Sequence, residues 1–197
     1  MKNGKRILWM VLCLAVILAV SGPADAASAG KDKTAIKNRI NTYIKAVKAY
    51  DTDTVKKCFQ PAKADSIGVQ PEMASTIRKM HKDHLKASVT KVTVSGGKAT
   101  VKLKVSYYKG YDLFTKSILK TMGRATEQWT IRKLAKEVAA DAYKRYQNQK
   151  NKARYVITKT LTVPMIRKNG KWLIEKNTEY MQRLLDCAYE YAIDQAD

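Results

Sequence analysis

The sequence predicts an α+β fold: N-terminal helices packed on an antiparallel sheet, a helical insertion between strands, and a C-terminal helix. Three observations carry this. Apolar residues recur at spacings of three and four from Ile36 to Tyr50, again between Tyr111 and Gln149, and again after Asn177. Alternation with a period of two replaces that pattern from Ala87 to Tyr108 and from Ala153 to Lys176. Each alternating stretch is broken by a dipeptide, Gly96-Gly97 or Asn169-Gly170, that supplies the positive φ angles of a two-residue hairpin turn.

The opening residues stand apart from that domain. Lys2, Lys5 and Arg6 precede an apolar run from Ile7 to Val20, followed by Ser21-Gly22-Pro23 and the small-residue site Ala24-Asp25-Ala26. This is the three-part pattern of a secretory signal peptide, with cleavage expected after Ala26. The run has 14 residues, short of the roughly 20 that a spanning helix needs, so an uncleaved N-terminal membrane anchor is the alternative. Cys13 lies inside the run behind Leu12 and is discarded with the signal. The expected organisation is therefore a signal peptide at 1–26, a short linker at 27–33 and a single domain at 34–197, secreted or associated with the cell envelope.

Charge bounds the partners. The formal net charge is +21. The leader holds three cations and Asp25, a net of two, so the mature chain keeps +19. Such a surface attracts polyanions, or else serves solubility. Export directs the first reading to an anionic cell-envelope polymer or lipid surface, and no nucleic acid is expected.

In chain order, Ile36, Ile40, Tyr43, Ile44, Val47 and Tyr50 share one face of the first helix. Asp51 or Asp53 caps a second helix carrying Val55, Cys58 and Phe59, which Pro61 ends. A third short helix faces Met73, Ile77 and Met80 inward. In the first hairpin Val92 falls opposite Val101 and Val94 opposite Ala99, with Leu103, Val105 and Tyr107 on the same face. The other face sets Lys91 against Lys102, with Lys104 two residues on, a like-charge pairing that a sheet tolerates when solvated or when it meets an anion. The insertion holds a short helix and a long one, the latter with a stripe of Ile131, Leu134, Ala135, Val138 and Ala142. The last hairpin pairs Arg167 with Trp172 and Met165 with Ile174, and Pro164 marks an edge or a bulge. The closing helix has Met181, Leu184, Leu185, Ala188, Tyr191 and Ala192 on one face. It is also the one acidic element, through Glu179, Asp186, Glu190, Asp194 and Asp197, and a surface for a dimer.

The order of these elements, with Lys48-Ala49-Tyr50-Asp51 breaking the first helix and Asn169-Gly170-Lys171-Trp172-Leu173-Ile174 forming the last hairpin, resembles the nuclear transport factor 2-like (cystatin-like) superfamily, in particular its small exported bacterial members. The resemblance implies a curved sheet wrapped around the first helix. For the enzymes and ligand binders of that superfamily it also implies a pocket in the concave sheet. The helical stretch from Tyr111 to Gln149 and the closing helix depart from the usual plan.

No catalytic motif is present. The inward strand positions hold no carboxylate, and neither a nucleophile elbow, a His-Glu-x-x-His pattern nor a phosphate-cradling glycine loop occurs. Asp112 and Glu127 are the carboxylates of the insertion that acid–base chemistry would need turned inward, although Asp112 also suits a turn or cap. His81 and His84 stand at i, i+3, a ligand set that stops at two among Lys79, Lys82 and Lys86, so no metal or other cofactor is expected and the rings read as solvated. Cys58 and Cys187 either pair as a disulfide or remain two buried thiols. Tyr107, Tyr108, Tyr111, Tyr143, Tyr146 and Tyr155, interleaved with Lys109, Lys144, Arg145, Lys152 and Arg154, either grip a sugar or anionic polymer or belong to the core. The expected protein is a non-enzymatic binding or structural domain with Lys91, Lys102, Lys104, Lys144 and Arg145 on its basic face. The alternative is a small-molecule-binding or enzymatic domain with a pocket in the sheet.

Overall fold

The computed structural model describes residues 23–65, 67, 71–189 and 192. Residues 1–22 of the expected signal lie outside them. Helix α1, Pro23–Ala49, starts on a proline, which lacks only an N–H that the first turn leaves unpaired in any case. The cleavage expected after Ala26 falls inside its first two turns. The segment 27–33 is helical, not a linker. Its Asp32 accepts a hydrogen bond from Trp172 Nε1 at 3.0 Å and pairs with Arg167 at 3.3 Å, which ties this turn to the last hairpin. Ile36, Ile40, Tyr43 and Val47 are buried as their spacing requires, each contributing about 1.5–3 kcal/mol by leaving water. The helix stops at Tyr50, which takes a left-handed φ of 51° while its ring stays buried. Asp51 then caps α2, Thr52–Lys57, by accepting from Thr54 N at 3.0 Å.

Pro61 opens a further short helix, α3 (Pro61–Ala64), instead of terminating α2, which has already ended. A 3-10 turn at Pro71–Met73 leads into α4, Ala74–His84, with Met73, Ile77 and Met80 buried.

The sheet is β1 (Lys86–Ser95), β2 (Lys98–Tyr108), β3 (Val156–Lys168) and β4 (Lys171–Ile174), antiparallel throughout and ordered as in the chain. Both hairpin registers follow from their turns: Val92 faces Val101, Lys91 faces Lys102, and Arg167 faces Trp172. The register shifts between Val89 and Lys91. Val89 and Val92 are three apart, and strict alternation would put them on opposite faces; one extra residue, Thr90, returns both to the core side.

Pro164 meets the β4 side of its strand just where β4 ends. Its carbonyl accepts from Glu175 N at 2.9 Å, but it has no N–H to return, and the side chain of Gln60 donates to the Glu175 carbonyl instead. The segment Cys58–Gln60 runs along β4 in parallel, with Ile174 N donating to the Cys58 carbonyl and Gln60 N to that of Ile174.

Between β2 and β3 lie α5, Tyr111–Met122, and α6, Ile131–Asn148. The expected stripe on α6 holds only in part. Val138 and Ala142 are buried, joined by Ala139 and Tyr146, whereas Ile131 is 85% exposed because it occupies the first turn of α6, immediately after the Thr130 cap, and leaves the packed face to the later turns.

The closing segment departs furthest from expectation. Helix α7 spans only Glu179–Leu185, and Cys187 and Ala188 then both take left-handed φ angles of 54° and 67°. Two tertiary contacts impose the break: Leu185 O accepts from His81 Nε2 at 2.9 Å, and Cys187 O accepts from Gly110 N at 2.9 Å. Gly110 is required there, since a Cβ would stand 2.5 Å from the Phe114 ring and 3.1 Å from the Cys187 carbonyl. Among the described residues no helix is long and apolar enough to cross a membrane.

Candidate functional site

The basic residues singled out by the sequence form two separate surfaces. Lys91, Lys102 and Lys104 project from the sheet face opposite the core, together with Lys86 and Lys98. The strands place these cations among hydroxyls: Lys102 Nζ donates to Thr162 Oγ1 at 2.7 Å, and Ser106 and Thr158 share a hydrogen bond of 2.7 Å. All four strand sequences lack Asp and Glu. Glu175, just past β4, approaches Lys98 to 4.0 Å at one end of the face. The central cations Lys91, Lys102 and Lys104 have no ion pair among the described residues. Alternate residues along a strand are about 7 Å apart, so the lysines form a regular, uncovered array.

Lys144 and Arg145 belong elsewhere, on α6, where they line a cleft of about 720 Å³ against α5. Its floor is Asp141, whose side chain is 8% exposed. Lys120 from the opposite helix reaches Asp141 at 2.5 Å, and Arg145 donates to its other oxygen through Nε. Burial alone would raise the Asp141 pKa, but hydrogen bonds from Lys120, Arg145 and Ser117 bring it down to about 2. Tyr111, Asp112, Tyr155 and Gln149 also line it. Asp112 and Glu127 are exposed, and neither turns into the core.

The remaining polar groups fill the interior. His81 is fully buried, not solvated. With Nε2–H given to Leu185 O, Nδ1 faces the Cys187 sulfur at 3.7 Å. Burial lowers the His81 pKa to about 4, against the opposing effect of the Leu185 carbonyl, and burial pushes the Cys187 thiol well up. The pair is therefore neutral imidazole and thiol at neutral pH, the reverse of an activated nucleophile. His84 points away, against the rings of Tyr108 and Tyr146 at 5.5 and 6.0 Å between centroids. Tyr146 OH donates to Asp83 at 2.8 Å and Tyr108 OH to Gln149. Those tyrosines belong to the core. Among the described residues no group of three or more His, Cys, Asp or Glu side chains could hold a metal.

The disulfide option is overturned. Cys58 and Cys187 are both free and buried, Cys58 beside β4 and Cys187 at the junction of β2 and α5. The acidic dimer surface is also reduced: Asp186 is 1% exposed and accepts from Ala188 N at 2.8 Å, and Glu179 pairs with Arg183. Glu190, Tyr191, Asp194 and Asp197 lie outside the described residues. The core-side face of the sheet is packed with Val101, Leu103, Val105, Leu161 and Val163, so the cleft stands between helices and not in the sheet.

Sequence reading missed Asp141. Its i, i+4 spacing to Arg145 was a visible signal, but its contact with Lys120 arises only when the two helices pack. No protein-family model matches the chain, and no curated protein or solved structure matches it.

Proposed function

We propose that the mature chain is an exported, non-catalytic domain of the cell envelope that holds an anionic polymer on the uncovered sheet face through Lys91, Lys102 and Lys104. One observation carries this reading: four strands without a carboxylate bring Lys86, Lys91, Lys98, Lys102 and Lys104 onto one face and set Lys91 directly against Lys102. Like charges directly opposite destabilise a strand pair, and a bound polyanion turns that repulsion into attraction. The helix-first order and the Asn169–Trp172 turn support placing the domain near the nuclear transport factor 2-like superfamily, and the charge–apolar–small-residue pattern of residues 1–26 supports export.

Co-sedimentation of the mature protein with purified cell walls tests the binding. Retention should fall steeply with added salt, because exposed charges are screened beyond about 8 Å at physiological ionic strength. The Lys91→Gln, Lys102→Gln, Lys104→Gln triple variant should lose retention while its circular dichroism and melting stay unchanged. Equal retention of both proteins at low salt rejects the face, and equal capture by anionic lipid vesicles moves the ligand from polymer to membrane. Mass spectrometry of the native protein should find Ala27 first; an intact Met1 rejects the processing.

A further inference from the structure

Helices α5 and α6 run antiparallel, and their facing residues form a ladder with a step of one turn. Arg124, two residues past the end of α5, meets Glu137 on α6 at 3.9 Å, and four residues earlier in the chain Lys120 on α5 meets Asp141, one turn further along α6, at 2.5 Å. A third step of four brings Lys116 level with Arg145, with Lys144 beside it, and all three line the cleft. Two rungs therefore join a cation to a carboxylate, and the third sets cation against cation. Lys116 and Lys144 have no ion pair among the described residues, and Asp141 engages Arg145 through Nε, leaving its terminal nitrogens for another acceptor. One turn further, Asp112 lies level with Gln149, and Tyr111, with Lys109 Nζ 5.6 Å from its ring, and Tyr155, packed against Tyr108, also line the cleft.

We propose that this cleft is a second binding site, for a small organic anion whose phosphate or carboxylate completes the third rung and whose ring lies against Tyr111 and Tyr155. The cleft volume of about 720 Å³ suits such a molecule, within the roughly 300–1,000 Å³ of small-ligand sites. The Asp141 clasp fixes the spacing of the two walls and the orientation of Arg145 before any ligand arrives, which lowers the ordering cost of binding. Arginine presents paired donors to a planar or tetrahedral oxyanion, and two lysines add point charges around it. The site shares no residue with the sheet lysines, which project from the sheet face away from the core.

Phenyl phosphate is the probe, titrated against the mature protein by calorimetry and by its effect on melting, with inorganic phosphate and phenol as its separate halves. Saturable binding of phenyl phosphate, tighter than either half, is expected. Lys116→Glu replaces the external anion by an internal carboxylate like those of the other two rungs. It should raise the melting temperature and weaken phenyl phosphate by about tenfold or more, as loss of a charge-assisted contact does. Lys116→Gln should weaken the probe without the rise in melting temperature. The Lys91→Gln, Lys102→Gln, Lys104→Gln variant should bind it like wild type, which separates this site from the polymer face. Absence of saturable binding to wild type, unchanged affinity in Lys116→Glu, or equal affinity for phenyl phosphate and inorganic phosphate overturns the proposal.

Discussion

The outer sheet face and the α5–α6 cleft are both rich in cations, but they are built on opposite plans. The cleft surrounds one nearly buried carboxylate, Asp141, with Lys120 and Arg145, so part of its charge is satisfied within the fold. The sheet face keeps Lys91, Lys102 and Lys104 without a counter-charge and leaves them in water. The difference teaches how to divide a large positive charge by role. Cations that meet a buried carboxylate contribute to stability, whereas cations presented without one lower stability slightly and remain available to a partner.

The largest expected effect is on the first plan. Asp141→Ala leaves Lys120 and Arg145 facing each other around an emptied floor, and should cost about 2–3 kcal/mol in urea unfolding at pH 7, since both cations retain some solvent. A loss below about 0.5 kcal/mol would make the cleft a surface pairing like any other. Next comes acidification. The Asp141 carboxyl is held down to about 2 in the fold against 3.8 for an ordinary Asp, so its contribution is complete above about pH 4 and is lost as pH falls toward 2. His81, held near 4 against 6.5 by burial, acts in a higher window: the unfolded chain takes up a proton first, so stability falls between about pH 6.5 and 4. Asp51 and Asp83, whose carboxyls are also held below the usual range, share the lower window, so Asp141→Asn should shrink the loss of stability there and leave the His81 window unchanged. The smallest effect belongs to the sheet. Lys102→Glu turns the Lys91 repulsion into an attraction and should stabilise the hairpin by about 0.5 kcal/mol while abolishing cell-wall retention. Stability and binding moving together in that variant would break the contrast.

What was legible in the sequence was local. Gly96-Gly97 and Asn169-Gly170 fix the registers of both hairpins, because a two-residue turn leaves one pairing and the alternation sets the face. The stripe of α1 was likewise readable from its spacing. The missed features depend on contacts between distant segments. Nothing in Ala27–Lys33 announces that Asp32 will meet Trp172 and Arg167, about 140 residues away. The regular stripe after Asn177 reads as one helix, but His81 and Gly110 hold the Leu185 and Cys187 carbonyls where the helix must break. The functional candidates divided in the same way. The shared outer face of Lys91, Lys102 and Lys104 follows from the register alone. Lys144 and Arg145 were assigned to that same face, because only helix packing shows that they turn toward α5.

The treatment of the sheet margins has a consequence for crowding. Copies gathered along one polymer strand would stand side by side at high local concentration, the condition in which exposed strand edges join into fibres. Here the β4 margin is sealed by Cys58–Gln60, down to the carbonyl that Pro164 leaves and Gln60 takes. The β1 margin carries Lys86, Lys91 and the bulge at Thr90, three devices that spoil a continuous ladder. With both margins closed in this way, copies crowded side by side should stay separate domains and not nucleate a cross-β aggregate.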